Sequence, residues 1–383
     1  MVEVAGTTGG QSLNLKCGAS EEILKEYPDA YFDSVVCDPP YFIGFLGKKN
    51  YWDRPDNDLT PVWKECFRVL KEGGYLLAFG APRTYHRLAV QIENAGFQIK
   101  DQIMWLYASG FPKQVHSLGT SWDQHTDAAI ASMVAVAKAN NEEIKSIWKA
   151  PNPLEGHANQ LKPAHEPICV ARKKPKYDGL AAHFGGGIAG MNIGDAKIPY
   201  EDGETPVGGG NVGAHFRSYN SKAKTLENPT SMEVYEEGRI PSNVIGEVEG
   251  YQKFFFCPKT SFAEKNIGYP DAKRKSIRKD GDLYDGEGKG PHEEEIEDGN
   301  PHPTVKPVAL MEYLIKLVTP AGGQVLDPFM GSGSTGMAAL GASFGFTGID
   351  MNEEYQATSL IRITAWLKHL KDQESKQTKG KAT

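Results

Sequence analysis

Long apolar runs are missing from this 383-residue chain: no stretch approaches the roughly 18 consecutive apolar residues that a membrane-crossing helix needs, so no such span is expected. Met1 to Asn14 is small and polar and lacks the basic region followed by an apolar one that marks a secretion signal, which leaves a cytosolic protein as the expectation. Cysteine is scarce. Cys17, Cys37, Cys66, Cys169 and Cys257 are odd in number and widely separated, with no pair at metal-ligand or redox spacing, so neither a disulfide scaffold nor a metal centre is expected, and the thiols read as reduced and buried. No internal repeat is present. An excess of positive charge is also missing, since 42 Lys and Arg stand against 49 Asp and Glu for a net charge of −7. That balance argues against a nucleic-acid partner only as a global sum, because affinity depends on local patches. Two patches exist: Arg172, Lys173, Lys174 and Lys176, and Lys273, Arg274, Lys275, Arg278 and Lys279. Alone, such a run is more often a solvated face than a phosphate track.

With 39% hydrophobic residues, the chain has the composition and length for one sizeable core carrying insertions. Ile23, Leu24 and Tyr27 mark a short helix before an apolar strand at Ser34 to Cys37. Val62, Cys66, Val69 and Leu70 stripe a helix that is expected to end at Gly73-Gly74, followed by a strand at Tyr75 to Phe79. Tyr85, Leu88, Ala89 and Ile92 stripe another helix, closed by Gly96, and Phe97 to Trp105 reads as extended. This is α/β alternation. After Trp105 the rhythm breaks into a helix around Thr126 to Ala139, a loop at Pro151 to Pro163 and a strand at Pro167 to Ala171. From Lys173 to about Gly299 the composition is Gly, Pro, Asn and charge, with Gly185 to Gly187, Gly208 to Gly210 and a short apolar run at Lys253 to Cys257. Such a stretch is too long for a simple connection and reads as a recognition insert or a spacer. Alternation then returns: a helix through Leu310, Tyr313, Leu314 and Leu317, a strand at Val325 to Asp327, a helix at Gly336 to Leu340, and a strand from Phe344 ending in Asp350. Leu360, Ile363, Leu367 and Leu370 stripe the last helix, and the tail from Lys371 is polar and expected to fray.

Two motifs carry chemistry. Asp327-Pro328-Phe329-Met330-Gly331-Ser332-Gly333-Ser334 joins a strand to a helix, and an acid, Asp350, ends the next strand. A glycine-rich turn lets a ligand approach the backbone, and the acid is placed for ribose hydroxyls, which together describe a nucleoside pocket. The three-glycine spacing of a pyrophosphate site is lacking, so an adenosine without phosphate suits the turn better. The bland alternative is a turn with glycines for geometry alone. Asp38-Pro39-Pro40-Tyr41 lies at the carboxyl end of an apolar strand, where α/β sheets place ligands. Two prolines remove N–H donors and leave carbonyl oxygens as acceptors. A carboxylate beside such a carbonyl accepts the hydrogens of an exocyclic amine and frees its lone pair for attack, while Tyr41 offers a ring for an extruded base. A proline-rich turn capping a strand is the other reading of these four residues.

Taken jointly, the motifs resemble those of the DNA adenine-N6 and cytosine-N4 methyltransferase family, over most of the chain outside about Ser109 to Gln160 and Lys176 to Tyr235. With the catalytic motif preceding the cofactor motif, the order is similar to the β class. The resemblance implies a Rossmann-like class I S-adenosylmethionine-dependent methyltransferase fold, α/β with a mixed, mostly parallel sheet and inserted target-recognition segments. It divides the chain into a catalytic half (1–106, with the strand near 165–172), a helical insert (107–164), a target-recognition insert (173–299), a cofactor half (300–370) and a flexible tail (371–383).

It implies S-adenosyl-L-methionine as cofactor, bound by Asp327, Pro328, Phe329, Gly331, Ser332, Gly333, Ser334, Asp350 and Asp38. The segment Asn300 to Pro307 resembles the family's methionine-pocket segment, which adds Thr304 and Lys306, with His302 beside them; a Pro-rich helix entry is its simpler reading. Lys162 to Pro167 resembles the motif before the last strand of the sheet, or is a simple loop. One departure stands out: the acid usual after the glycine that follows the first strand is here Ala19, after Gly18, so that backbone groups and Ser20 replace its contact or affinity is lower.

The mechanism this implies is base flipping of double-stranded DNA and direct in-line transfer to the N6 amine of adenine, catalysed by Asp38, Pro39, Pro40 and Tyr41. Asp38 in first position is associated with adenine in the family, and Ser with the cytosine amine. Both basic clusters then become phosphate contacts. Family members act in prokaryotic cells or phage-infected hosts, often within restriction-modification systems, and often dimerise. The alternatives are a cytosine-N4 enzyme, a methyltransferase acting on RNA or protein, an inactive DNA-binding relative, and, more distantly, a nicotinamide-dependent dehydrogenase.

Overall fold

The computed structural model describes residues 3–8, 11–44, 53–106, 134–140, 164–177, 180–199, 241–246, 260–275 and 295–380. The chain divides into two compact units, one of Met1–Leu106, Glu166–Lys275 and Glu295–Thr383, the other of Tyr107–His165 and Ser276–Glu294. In the second unit a helical segment covers 134–139, within the helix expected at Thr126 to Ala139, whose first part lies outside the described residues. Pro151 to Pro163, Gly208 to Gly210, Lys253 to Cys257, Arg278 and Lys279 also lie outside them.

The first unit is built on a nine-stranded sheet. Its strands are β1 (Glu3–Thr8), β2 (Gln11–Cys17), β3 (Phe32–Cys37), β4 (Leu70–Phe79), β5 (Gln98–Leu106), β6 (His165–Arg172) and β7 (Val244–Gly246), then, beyond a separate two-stranded ladder of β8 (Lys273–Lys275) and β9 (Glu295–Glu297), β10 (Gln324–Asp327) and β11 (Gly345–Asp350). The order is β1-β2-β11-β10-β3-β4-β6-β5-β7. From β2 to β4 neighbouring strands are parallel, β6 runs antiparallel to β4, and β1 antiparallel to β2, so the sheet is mixed and mostly parallel, as expected. The central strands are buried on both faces, every residue of β3 included, because helices cover them on either side.

On one face, α1 (Ser20–Ile23), α2 (Thr60–Val69) and α3 (Tyr85–Asn94) contribute Ile23, Val62, Trp63, Cys66, Leu88 and Ile92 to a core with Phe32, Val35 and Leu76. Two short helices follow in the chain, α4 (Leu180–Phe184) and α5 (Phe262–Lys265). On the other face, α6 (Val308–Val318), α7 (Ser334–Gly341) and α8 (Glu353–Gly380) contribute Leu310, Leu314, Met337 and Ile363 to a core with Leu77, Phe79 and Phe346. Cys17, Cys37, Cys66 and Cys169 are buried free thiols.

Two expectations are corrected, and one strand pair lies where none was expected. Helix α2 ends at Val69, not at Gly73-Gly74: Leu70 turns extended and pairs with Phe32, and β4 passes through the glycines with a register shift. Gly73 sits there at φ 76°, its N–H donating to the Lys173 carbonyl at 3.0 Å, and a Cβ on it would stand 2.1 Å from the Ile188 carbonyl oxygen, so only glycine fits. The polar N-terminus forms the β1–β2 hairpin, whose second strand alternates with Leu13, Leu15 and Cys17 inward. The last helix continues past Lys371 to Gly380, through a run with no proline or glycine to stop it.

Candidate active site

Strand order explains why the motifs meet. β10 lies between β3 and β11 and is parallel to both, so Asp38 after β3, the turn after β10 and Asp350 at the end of β11 all reach the same edge of the sheet.

The glycine turn is fixed by its neighbours. Asp327 is buried, and its carboxylate accepts the Phe329 N–H at 3.0 Å and the Thr335 hydroxyl at 2.5 Å. Burial raises its pKa to about 7. Asp327 thus holds the turn's shape from beneath. The Ser20 hydroxyl donates to the Pro328 carbonyl at 2.6 Å, so Ser20 clamps the turn, while the Gly18 N–H donates to the Asp350 carbonyl at 2.9 Å. Phe329 is half-buried against the Trp63 ring, 5.4 Å between centroids. Gly331 and Gly333 take φ of 51° and 80°. A Cβ on Gly331 would stand 2.7 Å from His302 Nε2, and one on Gly333 2.7 Å from Ser359 Cβ, so the two glycines admit both the conformation and the close approach. Asp350 Oδ2 accepts the Gly331 N–H and Oδ1 the Asn352 N–H, each at 2.8 Å, and burial raises its pKa.

Sequence reasoning missed Arg362 on α8. It is fully buried, and Nη1 donates to the Ser332 carbonyl at 2.5 Å and hydroxyl at 3.0 Å and to the Ser334 hydroxyl at 3.4 Å, while Nη2 donates to the Glu264 carbonyl at 3.2 Å. Desolvation lowers its pKa to about 10. Ser332 and Ser334, expected among the cofactor-binding residues, are thus also held by Arg362.

Asp38 lies half-buried at the other side of this edge. Its Oδ2 accepts Lys306 Nζ at 2.6 Å and its Oδ1 the Tyr41 hydroxyl at 2.7 Å. Glu166, on β6, lies 2.8 Å from the same hydroxyl and 3.3 Å from Lys306 Nζ. Pro39 is buried and Pro40 half-buried. The chain leaves the motif through Phe42, a buried residue at φ 59°, with the Thr84 hydroxyl holding the Tyr41 carbonyl at 2.6 Å. Lys306, expected in the methionine pocket, is paired with Asp38; burial disfavours its charge, but Asp38 and Glu166 outweigh that and raise its pKa. Burial first, then the two carboxylates, raise the Tyr41 hydroxyl well above the usual tyrosine range. Glu166 falls within the Lys162 to Pro167 segment, where sequence alone assigns it no role. Thr304 is exposed, and its carbonyl takes the His302 Nδ1 hydrogen at 2.5 Å, which leaves Nε2 as an acceptor toward Gly331; burial lowers the His302 pKa to about 4.

The basic clusters divide. Arg172 donates to the carbonyls of Gly73, Ile188 and Ala189 and lies over the Tyr75 ring, and Lys173 is buried with Nζ on the Leu70 carbonyl at 2.7 Å, its pKa lowered by desolvation. Lys174 and Lys176 are exposed. In the backbone register of the β8–β9 ladder, Lys273 lies opposite Glu297 and Lys275 opposite Glu295. Among the described residues no group of His, Cys, Asp and Glu is arranged to hold a metal ion, and no helix is long and apolar enough to cross a membrane.

A strand-end carboxylate with flanking prolines, facing a glycine turn and a second strand-end acid, defines the class of a nucleoside-cofactor transferase. The N6_N4_Mtase family of DNA methylases matches residues 32–360, and the chain belongs to that family, whose methyl donor is S-adenosylmethionine. The chain is 44% identical over 62 residues to the DNA adenine methyltransferase YhdJ of Escherichia coli, covering 16% of this chain and 21% of that one. It is 24% identical over 300 residues to the type II methyltransferase M.HindIII of Haemophilus influenzae, covering 78% and 66%. Among solved structures, the cytosine-N4-specific PvuII DNA methyltransferase is 15% identical over 93% of this chain and 91% of that one, with a TM-score of 0.46. The matched segment spans about a quarter of the length of several of the curated relatives.

Proposed function

We propose that this chain methylates the exocyclic N6 amine of adenine in double-stranded DNA, flipping the base out and transferring the methyl group directly and in line. The observation that carries this reading is the Lys306–Asp38 contact at 2.6 Å: a carboxylate beside a Pro-Pro backbone, next to the glycine turn, that is already engaged with an N–H donor. An exocyclic amine offers the same kind of donor. Adenine is preferred because Asp heads the motif and because a relative that shares 44% of 62 residues is named as an adenine enzyme.

The residues fit the cofactor. Asp350 presents a carboxylate whose remaining lone pairs suit ribose hydroxyls, and Gly331 and Gly333 leave the backbone bare where a Cβ would meet His302 and Ser359. When bound, S-adenosylmethionine supplies an electrophilic methyl group on a sulfonium. Asp38 and the Pro39 carbonyl accept the amine hydrogens and orient its lone pair, Thr84 fixes the turn that aims them, and Tyr41 borders the base. Much of the acceleration comes from positioning. Lys174 and Lys176 are the members of the first cluster available to DNA phosphates; Lys273, Arg274 and Lys275, with Arg278 and Lys279, form the second proposed contact.

The test is methylation of unmodified genomic DNA of mixed sequence by the purified protein, with the modified base mapped by single-molecule sequencing. N6-methyladenine at a defined site is the expected product, and Asp38→Ala is expected to abolish it while binding S-adenosylmethionine nearly as well. N4-methylcytosine would overturn the choice of base; full activity of Asp38→Ala would overturn the catalytic assignment.

A further inference from the structure

Four side chains beside the glycine turn make more short contacts than their hydrogens fill. The Tyr41 hydroxyl oxygen lies 2.7 Å from Asp38 Oδ1 and 2.8 Å from Glu166 Oε2. Lys306 Nζ lies 2.6 Å from Asp38 Oδ2, 3.0 Å from the Tyr41 hydroxyl and 3.3 Å from Glu166 Oε2. An ammonium carries three hydrogens and a phenol one. With the ammonium hydrogens on the Lys306 contacts, the single phenolic hydrogen serves one carboxylate and leaves the other facing bare oxygen. The bridge therefore takes up one further proton without moving a heavy atom.

We propose that Asp38, Tyr41 and Glu166 form a proton relay, with Glu166 as the terminus for the proton that the amine releases on methylation. The relay rests on the methyltransferase reading above. As the amine nitrogen bonds to the methyl carbon, the carbon–sulfur bond breaks and its electron pair stays on sulfur as a neutral thioether. The nitrogen, now acidic, gives its proton to the Asp38 carboxylate; Asp38 passes a proton to the Tyr41 oxygen as Tyr41 passes its own to Glu166. The group of Asp38, Glu166 and Lys306 thereby goes from one net negative charge to neutral. Tyr41 is unchanged at the end, as a conduit must be, and its resistance to ionisation agrees with that part. Glu166 touches no substrate and acts through Tyr41. The groups facing the bridge are Lys306 before α6, with His302 and Asp327 next out; both of the latter feel the Asp38 charge.

Wild type, Glu166→Gln and Tyr41→Phe are to be compared in three measurements. These are single-turnover transfer from S-adenosylmethionine to unmodified mixed-sequence genomic DNA across pH, cofactor affinity by calorimetry, and infrared difference spectra of the protein alone on acidification. Both variants are expected to lose at least ~10-fold in rate with cofactor affinity little changed. A bridge already protonated from solvent blocks transfer, and removing one of two like-charged carboxylates weakens that protonation, so the acid limb of the rate is expected to move about one pH unit lower in Glu166→Gln. The protonated-carboxyl band of the wild type is expected to weaken in both variants. Glu166→Gln with the wild-type acid limb and band overturns the relay, whatever its rate. If that variant does not fold, an unchanged band in Tyr41→Phe overturns it. A wild-type protein that methylates no DNA overturns the functional reading and the relay with it, whereas an active wild type beside unaltered variants overturns the relay alone.

Discussion

His302 and Asp327 border the same turn, and burial moves them in directions that oppose each other in stability. His302 falls from 6.5 to about 4, so within that window the unfolded chain binds more protons and stability rises with pH; its contribution is complete above 6.5 and lost as pH falls through about 4. Asp327 rises from 3.8 to about 7, so the folded chain binds more protons and stability declines as pH rises; its contribution is complete below 3.8 and lost through about 7. Each slope approaches about 1.4 kcal/mol per pH unit, and over their shared range they offset. His302→Gln is therefore expected to show unfolding free energies that fall as pH rises from about 4 to 6.5, and Asp327→Asn energies that rise, both read from urea titrations at a series of pH values. A variant whose profile runs parallel to wild type removes the corresponding residue from this balance.

At the scale of elements, α8 governs the glycine turn through Arg362, whose Nε has no hydrogen-bond partner among the described residues while Nη1 holds Ser332 and Ser334. A buried cation is costly, and here its cost is offset by fixing the backbone of a binding loop. Arg362→Met preserves much of the volume and removes those bonds; it is expected to weaken S-adenosylmethionine binding by at least ~10-fold in calorimetry while circular dichroism keeps its helical signal. Unchanged affinity would show that the turn holds its shape without α8. Arg362 also marks the limit of what the sequence tells. Asp38, the glycine turn and Asp350 were legible because strand, turn and helix follow one another in adjacent residues. Arg362 sits between Leu360 and Ile363, where periodicity sends a polar residue to solvent; it is buried because Gly333 allows Ser359 and the turn to close over it. Glu166 joins Tyr41 across 125 positions and Lys306 joins Asp38 across 268, pairings that strand order decides. The β1–β2 hairpin was half-legible in Leu13, Leu15 and Cys17, but β1 carries no comparable apolar pattern.

For the whole molecule, a net charge of −7 means that DNA affinity, under the proposed function, comes from a small exposed surface acting against the global field. Counting residues in the basic runs overstates that surface. Arg172 and Lys173 spend their charges on backbone carbonyls next to β4, which leaves Lys174 and Lys176 as the exposed cations of the first run. Counterion release makes this separable: each phosphate that a cation neutralises steepens the fall of log affinity with log salt by roughly 0.9. The double variant Lys174→Ala with Lys176→Ala is expected to make that dependence shallower by about 2 and to leave the thermal midpoint near wild type. Arg172→Ala is expected to do the reverse, keeping the salt dependence while lowering the midpoint, because Gly73, Ile188 and Ala189 lose their shared donor. Fluorescence anisotropy on a DNA duplex at several salt concentrations, beside thermal melts, separates the two outcomes. A salt dependence that becomes equally shallow in both variants would return Arg172 to the DNA surface and remove its structural assignment.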